Sequence, residues 1–122
     1  MVEVICDTSF LINLATRRIK NIDNLDVEIG TISFVVPEVV KTELLKLNLI
    51  PEKKHDVEKT LDFIKNFKTI PLEGSFADKE LLEFSKSNKS IIGTMDKELK
   101  KQIKRAGGSI LSFSNDKIIL ES

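Results

Sequence analysis

Four acidic residues, Asp7, Glu43, Asp78 and Asp96, stand where apolar segments of this chain give way to helix-forming ones. Carboxylates are hard oxygen ligands that suit Mg²⁺ or Mn²⁺. Four of them in one low-dielectric cleft would repel each other unless cations neutralised them. Mg²⁺ keeps several waters and uses few carboxylates, so such a set can hold one or two ions and leave positions for a phosphate oxygen and an attacking water. That is the equipment for phosphodiester hydrolysis. Each acid also has a simpler use. Asp7 and Asp96 suit the N-caps of the helices that follow them. Ser75 and Asp78 have capping-box spacing, and Glu43 can pair with Lys46 on a helix surface. The argument for chemistry rests on the set.

The elements that would position these acids read as alternating strands and helices. Val2–Cys6 is a short apolar strand running into capping residues and the helical stretch 10–15. After the polar, irregular segment 17–30, residues 31–36 form a second strand, and Pro37 opens a helix to Leu47. Val40, Leu44 and Leu47 make one apolar stripe, and Val57, Leu61 and Ile64 another in a helix over 52–67. Short strands follow at 69–72, 90–94 and 110–113, with helices over 75–87 and 97–106, the last stopped by Gly107-Gly108. This alternation predicts a three-layer α/β/α fold with a parallel five-stranded sheet. In such a sheet, ligands bind beyond the carboxyl ends of the strands. Asp7 and Asp96 therefore project from one edge, Glu43 borders a buried stripe, and Asp78 starts a helix on the same side.

The 122 residues suit a single domain spanning 1–122. Nineteen Lys and Arg balance nineteen Asp and Glu, so attraction to a polyanion must be local or metal-mediated. No apolar run approaches the roughly 18 residues of a membrane span, and no leader is evident, which predicts a cytoplasmic protein with no membrane partner. Cys6, in an apolar run, reads as a buried hydrophobe.

Four words resemble the successive signatures of PIN-domain nucleases. They are Val4-Ile5-Cys6-Asp7-Thr8-Ser9-Phe10-Leu11-Ile12, Val36-Pro37-Glu38-Val39-Val40-Lys41-Thr42-Glu43-Leu44, Ala77-Asp78-Lys79-Glu80-Leu81-Leu82 and Gly93-Thr94-Met95-Asp96-Lys97-Glu98-Leu99. They fall in family order across residues 4–113. The resemblance implies a Mg²⁺- or Mn²⁺-dependent endoribonuclease of single-stranded or loop RNA, with Asp7, Glu43, Asp78 and Asp96 as its acidic quartet. It implies either a toxin partnered by an antitoxin protein or an archaeal-type rRNA-processing nuclease, and a homodimer. Ser9 and Met95 stand where many relatives carry Asn.

Thr94 matches a hydroxyl position near the metal, and Thr8 or Ser9 is expected to orient Asp7. Lys97, Lys100, Lys101 and Lys104 make the helix after Asp96 basic, and they are candidate contacts to RNA phosphates. His55, in a polar helix start, is not expected to act in acid–base catalysis. With no Trp or Tyr, the Phe residues are assigned to the core. Two rivals differ in class. One is a catalytically inactive PIN-like module that binds RNA or protein. The other, a flavodoxin-like phosphate handler, lacks both a second Asp two residues after Asp7 and a Gly-rich loop.

Overall fold

Successive side chains of a strand point to opposite faces, and Val4, Ile5 and Cys6 are all buried. Both faces of this strand are therefore covered. The computed structural model describes residues 2–19, 31–72, 77–87 and 90–121. Along them run β1 (Val2–Cys6), α1 (Thr8–Thr16), β2 (Ile32–Pro37), α2 (Glu38–Leu47), α3 (Pro51–Ile64) and β3 (Lys68–Ile70). These are followed by α4 (Ala77–Ser87), β4 (Ile91–Gly93), α5 (Lys97–Arg105), β5 (Ser109–Ser114) and β6 (Lys117–Glu121). The sheet order is β3-β2-β1-β4-β5-β6. The first five strands are parallel, in a register that sets Ile5 beside Val35 and Ile92.

Val4 and Cys6 join Phe10, Leu11, Val40, Leu44, Val57 and Leu111 in one core. Ile5, Val35 and Ile92 join Leu81, Leu99, Ile103 and Ile110 in the other. Helices α1 to α3 thus contribute to one core and α4 and α5 to the other, except that Ala77 at the start of α4 joins the first. Phe10 lies 5.3 Å from Phe113 and 6.3 Å from Phe34 between ring centroids, so these rings are core, not a stacking platform. The Cys6 thiol is buried, and burial holds its pKa well up. Among the described residues no helix is long and apolar enough to cross a membrane.

The sheet differs from the expected five parallel strands by β6, which pairs antiparallel with β5. Asn115 takes a left-handed conformation, φ 58°, in the two-residue turn that joins them. Asn tolerates this region better than most residues. Three apolar residues between Lys117 and Glu121 gave little strand signal, and the hairpin supplied what periodicity did not. Smaller shifts of boundary follow from caps. Pro37 ends β2 rather than opening the helix, and α3 stops at Ile64. Gly107, φ 85°, lets the N–H of Gly108 reach the Ile103 carbonyl and that of Gly107 reach Lys104, the paired bonds of a Schellman stop. Residues 20–30 and Ser75, with its capping box, lie outside the described residues.

Candidate active site

Strand order reverses between β1 and β4: the chain moves outward from β1 through β2 to β3, then returns to place β4 on the other side of β1. Such a switch point opens a crevice beyond the carboxyl ends of the strands. Asp7 follows β1 and Asp96 lies just beyond β4, so the two flank it. The Asp7 N–H donates to the Gly93 carbonyl at 2.9 Å, which extends the β1–β4 ladder into the site.

Asp7 is only 4% exposed, and its carboxylate is held by three donors. Oδ1 accepts from the N–H of Phe10 at 2.7 Å, capping α1, and from the Ser9 hydroxyl at 3.1 Å. Oδ2 accepts from the Thr94 hydroxyl. Burial nevertheless pushes its pKa up to about 6, outweighing those three donors, and the nearby charge of Asp78 adds to the rise.

Asp96 caps α5, its Oδ1 accepting from the N–H groups of Glu98 and Leu99 at 2.9 and 3.1 Å. Both donors bind one oxygen, so Oδ2 is not spent on the cap. The Asp96 N–H donates to Thr94 Oγ1 at 3.1 Å. One hydroxyl therefore ties together the two acids at the switch point. Capping and chemistry, alternatives on sequence alone, are compatible here.

Asp78, in the first turn of α4, is within hydrogen-bond reach of Asp96. Desolvation, then the charge of Asp96 and that hydrogen bond, then the charge of Glu43, raise its pKa. Glu43 comes from the middle of α2 and is partly buried. All four acids, with Thr8, Ser9 and Ala77, line a single cleft of about 240 Å³.

Other expected residues divide. Ser9 and Thr94 orient Asp7, whereas Thr8 does not: it lies 6% exposed at the start of α1 and its Oγ1 makes no hydrogen bond. On α5, Lys97 and Lys101 are exposed. Lys100 and Lys104 instead reach Glu121 of β6, at 3.4 and 2.8 Å, and Ser112 also donates to it. These three donors pull the Glu121 pKa down to about 2, the Lys104 hydrogen bond most. His55 is exposed on α3, away from the cleft.

Sequence reasoning passed over two residues. A Cβ on Gly93 would lie 2.8 Å from the Phe10 ring, so only glycine lets α1 seat that ring beneath β4. Glu121 was missed with its strand. The sequence signal for Gly93 was its place just before Thr94-Met95-Asp96.

The donor chemistry fits a divalent cation, because the cleft is lined by the carboxylates of four acids. Among the described residues no three His, Cys, Asp or Glu side chains form an assembled cage. Mg²⁺ typically takes one or two carboxylates and keeps its waters, so no such cage is required.

Residues 4–115 match the family described as the PIN like domain. The chain is 30% identical to Ribonuclease VapC4 of Methanocaldococcus jannaschii over 109 residues, 84% of this chain and 83% of that protein. The solved structure of the PIN domain endonuclease Utp24 superposes with a TM-score of 0.79 at 27% identity, covering 98% of this chain and 90% of that one. A domain of a functionally unknown Methanocaldococcus jannaschii protein shares the fold, with a TM-score of 0.59 at 18% identity over 100% of this chain and 98% of that one. With its acids lining the switch-point cleft and its family match running from β1 into the β5–β6 turn, the chain belongs to the PIN-like domain family of nucleases.

Proposed function

We propose that the protein is a divalent-metal-dependent endoribonuclease that cuts single-stranded or loop RNA, with Asp7, Glu43, Asp78 and Asp96 holding Mg²⁺ or Mn²⁺. The observation that carries this reading is that four acids from four separate segments line one cleft at the switch point. A divalent ion bound there supplies Lewis-acid polarisation of the phosphate and activates a water for attack. The protein's own groups provide the framework. Asp7 is fixed by Ser9, Thr94 and the α1 amide, and it is mainly ionised at pH 7. Asp96 is fixed by its cap and by Thr94. Lys97 and Lys101, exposed beside Asp96, attract RNA phosphates, while Lys100 and Lys104 are engaged with Glu121.

Calorimetric titration with Mn²⁺ and Mg²⁺, coupled to cleavage of a labelled single-stranded RNA pool, tests the reading. Wild type should bind metal and cut, and Asp96→Asn should lose both. Metal-independent RNA binding without cleavage would instead indicate an inactive binding module.

The ribonuclease VapC4 relative supports the RNA-cutting reading. One proposed setting is that of a cytoplasmic toxin with an antitoxin partner, acting as a homodimer, as the sequence resemblance implies. The likeness to the endonuclease Utp24 supports internal cutting, and the other proposed setting is rRNA processing. Growth arrest on expression, relieved by a co-expressed neighbouring protein, marks the toxin, whereas a precursor-rRNA defect on depletion marks the processing enzyme.

A further inference from the structure

Four carboxylates line the cleft and repel the phosphates of an incoming strand until cations intervene. The chain as a whole carries no net charge, so the attraction that brings a strand in must come from a local group of cations. Helix α5 supplies one. It joins β4 to the parallel strand β5, so it starts at the cleft, where Asp96 caps it, and runs back along the sheet towards the opposite edge. Its buried stripe is Leu99 and Ile103. Lys97, Lys101 and Arg105 recur every four residues on the exposed side away from that stripe, each about 6 Å further from the cleft than the last. Among the described residues none of these three enters an ion pair. The other two cations of the helix, Lys100 and Lys104, are held by Glu121 on its flank, at 3.4 and 2.8 Å.

We propose that Lys97, Lys101 and Arg105 form a track for three successive phosphates of a single RNA strand leading away from the cut, and that Glu121 keeps the track narrow by withholding Lys100 and Lys104. The inference rests on the endoribonuclease reading above and deepens it from a general attraction to a defined path. The step of about 6 Å between track residues is comparable to the spacing of consecutive phosphates on an extended strand, so each cation can meet one. A line one side chain wide follows one backbone and offers little to a second. Contacts to phosphates carry no base information, so the track adds affinity and direction, not sequence preference.

The salt dependence with which the full chain binds a labelled single-stranded RNA in EDTA tests the track. Each phosphate neutralised on a single strand contributes roughly 0.7 to the slope of log affinity against log salt. Lys97→Gln, Lys101→Gln and Arg105→Gln should each flatten the slope by about 0.7, and the triple variant by about 2. Melting temperature should stay at the wild-type value. With Mn²⁺, KM for cleavage should rise while kcat holds, as for a contact made equally in ground and transition states. Lys53→Gln/Lys54→Gln/Lys59→Gln removes the same charge from exposed positions of α3 and should leave the slope unaltered. Equal flattening in both triple variants would reveal a general charge effect and overturn the track. An unchanged slope in the track variants, or a wild type that binds no RNA in EDTA, would overturn it too. If wild type binds RNA but cuts none with either metal, the nuclease reading fails separately, and the slopes still decide the track.

Discussion

Thr94 donates its hydroxyl hydrogen to Asp7, 87 residues earlier in the chain, while the same oxygen accepts the N–H of Asp96. Removing that hydroxyl as Thr94→Val leaves a buried carboxylate one donor short and a backbone N–H without its acceptor. The expected cost is about 1–3 kcal/mol in unfolding free energy, with most cleavage lost. Thr94→Ser should recover both. Denaturant unfolding and single-turnover cleavage measure the pair of effects.

Asp7 is expected to trade stability for charge. Its pKa rises from an ordinary 3.8 to about 6 in the folded protein, so between these values the folded state holds more protons than the unfolded one. Its contribution therefore weakens as pH climbs from about 4 through 6. At about 1.4 kcal/mol for each tenfold change in proton affinity, the full penalty at neutral pH is roughly 3 kcal/mol. Asp7→Asn keeps a capping side chain and should be about 1–3 kcal/mol more stable than wild type at pH 7 in EDTA, with the advantage fading towards pH 4. Melting curves across that range would contradict this if the mutant gained nothing at neutral pH.

Glu121 should show the opposite sign. Its pKa is lowered from 4.5 to about 2 by the Lys104 hydrogen bond, Ser112 and Lys100, so its stabilisation is present above pH 4.5 and disappears as pH falls towards 2. Glu121→Gln should lower the melting temperature slightly at pH 7, and the two proteins should converge at the acid end. The same variant frees Lys100 and Lys104, so RNA binding in it should become steeper in salt.

Gly93→Ala places a methyl 2.8 Å from the Phe10 ring and should cost about 1–3 kcal/mol. Because Gly93 also accepts the Asp7 N–H, cleavage should fall with stability. A variant with wild-type melting temperature would show that Phe10 can yield.

The positions of Asp7 and Asp96 were legible because each follows an apolar strand, and a parallel sheet sends strand ends to one edge. Asp78 was legible only as the start of a helix, and its approach to Asp96 depends on how α4 packs, which no local pattern encodes. Thr8, Ser9 and Thr94 were visible as hydroxyls near acids. Which hydroxyl serves which acid is decided by the rotation of the first turn of α1 and by the β1–β4 register. The Lys100–Glu121–Lys104 cluster was hidden because it joins a helix to an antiparallel strand whose five residues carry no clear alternation. The basic helix therefore read as four equivalent cations when only two face outward unengaged.

The hydrogen bond from Asp7 to Gly93, with the Thr94 bridge to Asp96, means that one side of the cleft is spaced by neighbouring strands, a separation sheets hold near 4.8 Å. Glu43 and Asp78 ride instead on α2 and α4, helices that meet the sheet through side-chain packing. The cleft is in effect a vice with one jaw set by strand hydrogen bonds and the other by how two helices are packed. Mutations that alter how α2 and α4 seat will change its grip without touching an acid.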